Sequence, residues 1–258
     1  MADAPTFVVG DVHGSLDRTV ALLRRAGLIS EALTWTGGTA TLWFSGDFTD
    51  RGPHGLGSID LAMWLQREAA SAGGRVEALL GNHDLLLVAA RRFGGEFLAN
   101  WRRNGGVMAD LKGLVPRHAD WLLSRPAMAT AGDHLLVHAD TTFYAAYGDD
   151  VDEVNTSLAR VLEAGDPRAW DRLVEQFSDR RAFDDSSLGG TERAAAFLRH
   201  FGARRLVHGH TPISLAEGIS PDEVVAPLVY AGGLCVNVDG GMYLGGPGVI
   251  YRIEAMNS

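Results

Sequence analysis

Three times in its first 90 or so residues the chain runs from a short apolar segment into a glycine-flanked polar turn and then into a helical pattern. Thr6-Phe7-Val8-Val9 leads into Gly10-Asp11-Val12-His13-Gly14. Thr41-Leu42-Trp43-Phe44 leads into Gly46-Asp47-Phe48-Thr49-Asp50-Arg51-Gly52, and Val76 to Leu80 leads into Gly81-Asn82-His83-Asp84. Short β-branched and apolar runs closed by glycine read as buried strands. Behind each turn comes a helix: Leu16, Val20, Leu23 and Ala26 between a capping Ser15 and a stopping Gly27, then residues 57–72 closed by Gly73-Gly74, then Leu85 to about Arg92. Strand, polar turn and helix in repetition predict parallel strands with helices on the sheet faces. The polar residues then gather at C-terminal strand ends, where such sheets place their ligand chemistry.

The later chain has another rhythm. Residues 93–124 are mainly helical in pattern, and 127–130 with 134–138 form a hairpin around Gly132-Asp133. Residues 150–177 read as two charged amphipathic helices outside the core, separated by Gly165-Asp166-Pro167. Thr191 is expected to cap a helix running to about Phe201, and Arg205-Leu206-Val207 delivers His208-Gly209-His210-Thr211-Pro212. The tail from Val229 to Ile253 holds short β runs broken by glycine pairs. A sheet of mixed direction, or two packed sheets with helices outside, is therefore expected over one parallel sheet. The chain shows no linker, repeat or low-complexity block, so residues 1–258 read as one domain.

Composition removes several classes. A net charge of -9 opposes a non-specific grip on nucleic acid or anionic membrane, which needs a basic surface. No apolar run reaches the roughly 18 residues of a membrane span. Met1-Ala2-Asp3-Ala4-Pro5 lacks a basic-then-apolar signal pattern. Cys235 is the only cysteine, so no internal disulfide forms. The expectation is a cytoplasmic enzyme without nucleic-acid or membrane partners.

The polar groups at the strand ends are Asp11, His13, Asp47, Asp50, Arg51, Asn82, His83, Asp84, His138, His208 and His210. Carboxylate, imidazole and amide oxygen together suit divalent Mn, Fe or Zn, and the absence of cysteine ligands argues against structural zinc. In an extended chain, residues two apart share a side, which would let Asp11 and His13 reach one ion. Any single Gly-Asp is an ordinary turn, and a single strand-end histidine is ordinarily structural. Four such junctions in this order are not explained by turns alone.

The motifs GDVHG, GDFTDRG and GNHD, followed by a histidine after an apolar strand and then GHT, resemble the phosphoprotein phosphatase branch of the calcineurin-like metallophosphoesterases, in a bacterial-type form. The resemblance runs from about residue 6 to Asp239-Gly240-Gly241. It implies a β-sandwich of mixed sheets flanked by helices. It also implies two divalent cations, manganese foremost with iron or zinc as alternatives. Asp11 and His13 would bind the first ion, Asp47 would bridge, and Asn82, His138 and His210 would complete the second. His208 would stand beside the ligands without binding.

The activity implied is phosphoric monoester hydrolysis by in-line attack of a metal-bridging hydroxide, with a serine/threonine phosphoprotein as the foremost substrate. Arg51 would fork onto the phosphate alongside Asn82. His83 would be the general acid, and Asp50 would orient its imidazole and raise its pKa. A second phosphate arginine is expected at Arg180 or Arg181, with Arg193 disfavoured because it reads as helical. Asp84 reads as a helix N-terminal carboxylate. Asp140, following His138 where the family has glycine, would add a ligand or alter access.

The tail and Trp101-Arg102-Arg103-Asn104-Gly105-Gly106 also resemble symmetrical diadenosine tetraphosphatases. A dinucleoside tetraphosphate hydrolase is thus an alternative, with Trp101, Phe143, Tyr144 and Tyr147 as possible adenine walls. A non-catalytic metal-dependent binding protein is a third reading. The partner expected in the enzyme readings is a phosphoprotein, a small phosphoester or a nucleotide, and the oligomeric state stays open.

Overall fold

The computed structural model describes residues 4–184 and 189–253. Met1 to Asp3, part of the stretch searched for a signal pattern, lie outside it. The first half alternates as the sequence pattern predicts: β1 (Thr6–Val9), α1 (Leu16–Arg25), β2 (Thr41–Phe44), α2 (Gly55–Ser71), β3 (Arg75–Ala78) and α3 (Asn82–Phe93). Three short helices follow, α4 (Gly95–Arg103), α5 (Met108–Gly113) and α6 (Pro116–Leu123). The hairpin of β4 (Met128–Ala131) and β5 (His134–Val137) precedes α7 (Val151–Ala164), α8 (Pro167–Ser178) and α9 (Gly190–His200). Last come β6 (Arg205–His208), α10 (Ile213–Glu217), β7 (Leu228–Tyr230), β8 (Cys235–Asn237) and β9 (Ile250–Ile253).

The strands form two sheets of mixed direction, in the orders β3-β2-β1-β9 and β4-β5-β6-β8-β7. In the first, β1, β2 and β3 are parallel and β9 returns antiparallel. In the second, β5, β6 and β8 are parallel, and antiparallel β4 and β7 close the edges. The period-2 alternation of side chains explains the layering. Val8, Leu136, Val207, Val236 and Ile253 share one apolar cluster drawn from both sheets, the filling of the sandwich. A sequence neighbour of each of the first four, Val9, Val137, Leu206 and Cys235, joins the larger cluster against the helices. Both faces of these strands are buried, which is why they read as continuous apolar runs. Each fully buried Val or Leu of this layer contributes roughly 1.5–3 kcal/mol.

Several boundaries differ from the sequence reading. Helix α3 starts at Asn82, not Leu85, so Asn82 and His83 lie in its first turn with side chains fixed by the helix. Gly189, in the left-handed region, precedes α9, so Thr191 is inside the helix and not its cap. Ser15 makes no side-chain cap bond to α1. Helix α8 is amphipathic as expected, its apolar face of Trp170, Leu173, Val174 and Phe177 buried against the core. Among the described residues no helix is long and apolar enough to cross a membrane.

Candidate metal and phosphate site

The ends of parallel strands from both sheets meet at one place, and glycines allow the approach. A Cβ on Gly10 would lie 2.1 Å from the Val238 carbonyl oxygen, so β1 and β8 touch backbone to backbone. A Cβ on Gly81 would lie 2.2 Å from Asp47 Oδ1, so the loops after β2 and β3 close equally tightly. The first loop is clipped to the second by Val12 N and His13 N, both donating to Asp47 O at 3.1 and 2.7 Å. The Asp11–His13 pairing is not the strand alternation expected, since His13 adopts φ 43° and turns back over the site.

Hydrogen bonds fix the tautomers of the histidines. His13 Nδ1 is 2.9 Å from Thr49 O and His138 Nδ1 is 2.9 Å from Ser45 O. A nitrogen facing a carbonyl must donate, so both Nε2 atoms present lone pairs inward. His210 is reversed: Nε2 lies 3.3 Å from Ser178 O, and Nδ1 points inward. Asn82 donates its amide to Ser178 Oγ at 3.3 Å, so its Oδ1 also faces in.

The inward atoms then meet without a proton between them. His138 Nε2 lies 2.9 Å from Asn82 Oδ1, 3.1 Å from His210 Nδ1 and 3.5 Å from Asp47 Oδ1. On the other side of Asp47, His13 Nε2 lies 3.4 Å from Asp47 Oδ2 and 3.8 Å from Asp11 Oδ2. His13 Nε2 and Asp47 Oδ2 are buried and have no hydrogen-bond partner. Buried lone pairs facing lone pairs are costly unless a cation lies between them. Asp47 belongs to both ligand-bearing groups, His13–Asp47–His83 and Asp47–His138–His210. Burial holds His13 and His210 well below the usual histidine range, keeping them neutral, the form that binds metal. Residue types and geometry fit a pair of divalent cations.

His83 and its partners stand beside this pair. Asp50 Oδ2 lies 2.9 Å from His83 Nδ1, and its Oδ1 accepts from Trp101 Nε1 at 2.7 Å. Arg51 Nη2 lies 2.9 Å from His83 Nε2. The expected rise in the His83 pKa is reversed: burial lowers it to about 4, aided by the cationic Arg51 and Arg180 and opposed by Asp47. Asp50 is itself pushed up to about 8 by burial, against the Trp101 hydrogen bond.

Other expectations sort themselves by contact. Arg180 is exposed, and its charge acts on both His83 and His210. Arg181 turns away, its guanidinium paired with Asp184, so the two arginines are not equivalent. Arg193 lies on α9 and donates to Ala182 O at 2.8 Å. Asp84 Oδ1 accepts from Phe48 N and Thr49 Oγ1, bracing the central loop. Asp140 uses its oxygens on Arg181 N and Tyr230 and does not reach the ligand cluster. His208 bonds Tyr230, also outside the cluster.

The aromatic walls do not form as expected. Trp101 and Tyr144 are fully buried, and Phe143 and Tyr147 pack against the core. Tyr243 instead stands at the site, edge-on to His13 at 4.9 Å, with the Arg51 guanidinium 4.4 Å over its face. It lines an adjoining cavity of about 440 Å³ with Gly14, Arg51 and His54. Its only sequence signal was an aromatic residue between two glycine pairs.

Two mixed sheets flanked by helices, with buried His and Asp donors at the strand ends, define the metallophosphoesterase class of fold. The calcineurin-like phosphoesterase family model matches residues 4–214, and the chain belongs to that family. It is a metal-dependent phosphatase. A symmetrical bis(5'-nucleosyl)-tetraphosphatase of Vibrio cholerae is 27% identical over 221 residues, spanning 84% of this chain and 74% of the relative. The Escherichia coli enzyme of that name is 40% identical over 84 residues, 33% of this chain and 25% of the relative. Among solved structures, a cold-active protein-tyrosine phosphatase of a psychrophilic Shewanella shares the fold. Its TM-score is 0.74 at 21% identity, over 97% of this chain and 75% of that one. A protein serine/threonine phosphatase of Saccharomyces cerevisiae aligns at TM-score 0.62 and 16% identity, over 100% of this chain and 82% of that one.

Proposed function

We propose that the protein hydrolyses phosphoric monoesters, with phosphorylated serine or threonine side chains of proteins as substrate, at a dinuclear centre of Asp11, His13, Asp47, Asn82, His138 and His210. The observation that carries this is the proton-free cluster shared through Asp47, set against the Asp50–His83–Arg51 group. Bound there, two divalent cations, manganese foremost, would supply a deprotonated water near neutral pH and offset phosphate charge.

The remaining work falls to the chain. Arg51 leaves His83 Nε2 and forks onto two phosphate oxygens, with Asn82 and Arg180 on the others. A dianionic phosphate beside His83 favours its protonated form, opposing the burial and the arginine charges that depress it. His83 then holds a proton at Nε2 for the departing alkoxide, while Asp50 accepts from Nδ1 and Trp101 keeps Asp50 in place. Trp101 and Tyr144 are buried and Phe143 and Tyr147 pack against the core, so none of the four supports the adenine walls a dinucleotide reading needs. We also take residues 1–258 as one domain, supported by the apolar layer drawn from both sheets.

A second reading is symmetrical dinucleoside tetraphosphate hydrolysis, favoured by the Vibrio cholerae relative and by Tyr243 beside Arg51. Manganese-loaded protein offered p-nitrophenyl phosphate, a phosphopeptide panel and diadenosine tetraphosphate separates them. Phosphopeptide turnover with tetraphosphate untouched supports the first reading, and the reverse supports the second. Metal binding without turnover of any substrate would leave the non-catalytic binding protein.

A further inference from the structure

Arg180 stands on the segment between α8 and α9, where no strand or helix holds it. An exposed arginine on such a segment is a poor phosphate clamp unless its backbone is fixed, since a flexible donor must be ordered in every turnover. The structure shows what fixes it. Asp140 Oδ1 accepts from Arg181 N at 2.9 Å, and Asp140 O accepts from Ala182 N at 2.9 Å. Thr141 Oγ1 donates to Asp179 Oδ2 at 3.2 Å. Asp140 and Thr141 thus grip the chain on both sides of Arg180. Arg181 sits at φ 64°, a left-handed turn that the grip maintains.

Asp140 is itself held. It is 3% exposed, and Tyr230 Oη lies 2.9 Å from its Oδ2 and 2.8 Å from His208 Nε2. His208 Nδ1 faces Gly209 O at 2.9 Å. Asp140 is two residues past His138, and His208 two before His210. One buried network therefore ties both histidine-bearing strand ends to the segment carrying Arg180.

We propose that Asp140 is a positioning residue that sets Arg180 over the His138–His210 side of the site, with Tyr230 as its brace. This rests on the reading of Arg180 as a phosphate clamp. Chemistry at position 140 predicts its own rescue. His208 Nδ1 donates to Gly209 O, so Nε2 accepts, and the single Tyr230 proton faces two acceptors. An asparagine at 140 keeps the acceptor for Arg181 N, and its amide donates to Tyr230, which then donates to His208. Asp140→Asn should be tolerated where Asp140→Ala is not.

The test compares Asp140→Ala, Asp140→Asn, Arg180→Ala and the Asp140→Ala/Arg180→Ala double variant, each loaded with Mn²⁺ and assayed on p-nitrophenyl phosphate, with metal content measured. Asp140→Ala should raise KM about tenfold or more, with a smaller change in kcat and two ions per chain retained. Asp140→Asn should stay near wild type. In the Arg180→Ala background, Asp140→Ala should add less than about twofold, because its effect runs through Arg180. Full additivity, or Asp140→Asn as damaging as Asp140→Ala, would overturn the proposal. A KM unchanged in Arg180→Ala would instead remove the clamp reading on which the proposal stands. Should Asp140→Ala not fold, Tyr230→Phe carries the same cycle: its KM increase must vanish without Arg180, and persistence overturns the proposal.

Discussion

Eight described residues other than glycine have positive φ, and six of them are His13, Asp47, Asp50, Arg51, Arg181 and His210. Each such residue costs roughly 1–2 kcal/mol relative to ordinary backbone, and such strain concentrates where geometry serves function. Turning the chain back at these positions lets short loops aim ligands inward. At this scale two expectations are sharp. Replacing the proton donor, His83→Asn, should slow alkyl phosphates by ~10²–10⁴-fold but activated aryl phosphates much less; equal losses on both would remove the general-acid role. Asp47→Asn should bring bound metal below two ions per chain by elemental analysis, because among the described residues only Asp47 joins both clusters; unchanged stoichiometry would contradict the bridge.

Among the elements, α5 bears directly on α2. Asp110 Oδ1 accepts from Leu56 N at 3.3 Å, capping a helix whose first turn holds no acid of its own. Burial pushes Asp110 up to about 6, opposed by that hydrogen bond. An unfolded aspartate titrates near 3.9, so between about pH 4 and 6 the folded chain holds a proton that the unfolded chain has lost. This group's contribution to stability therefore falls as pH rises through that window. Asp110→Asn keeps the acceptor and removes the fall. Metal-stripped wild type should lose up to about 3 kcal/mol relative to the variant between pH 4 and 7, read from urea unfolding at both values. Parallel curves would show that Asp110 ionises freely. Helix α3 makes a different point: its extension to Asn82 came from the fold, because Gly81-Asn82-His83 looks like a turn until the helix behind it fixes the phases.

For the whole molecule, the site is the seam between two sheets, and its lone pairs oppose one another across that seam. Cation binding should therefore be worth much of the stability. If each of two sites is filled about 100-fold above its Kd, binding adds about 2.7 kcal/mol per site, which for 150–250 residues shifts melting by roughly 2–4 °C per kcal/mol. Chelation should lower the melting temperature by about 10 °C or more, and manganese should restore it; an unaltered melt would mean that no cation bridges the seam. Gly10→Ala should weaken the same seam without touching a ligand, since the new methyl meets the Val238 carbonyl. A loss of about 2 kcal/mol or more is expected, measured by denaturant midpoint.

The amino-acid sequence by itself determined the strands, most helices, the layered class and the polar residues at the strand ends. All of these follow from local rules: period-2 and period-3.6 apolarity, and glycine at forced turns. The structure alone decided the direction of each donor. That Arg181 N bonds Asp140, 41 residues away in sequence, while its guanidinium pairs with Asp184 is one such outcome. That Tyr243 stands against His13 and Arg51, while Tyr144 is buried and Phe143 and Tyr147 only pack against the core, is another. Local periodicity cannot encode contacts set by loops from two sheets meeting end to end. The tertiary structure also turned Asp11-x-His13 from an extended pair into a left-handed turn, and burial with the Arg51 charge lowered the His83 pKa where Asp50 was expected to raise it.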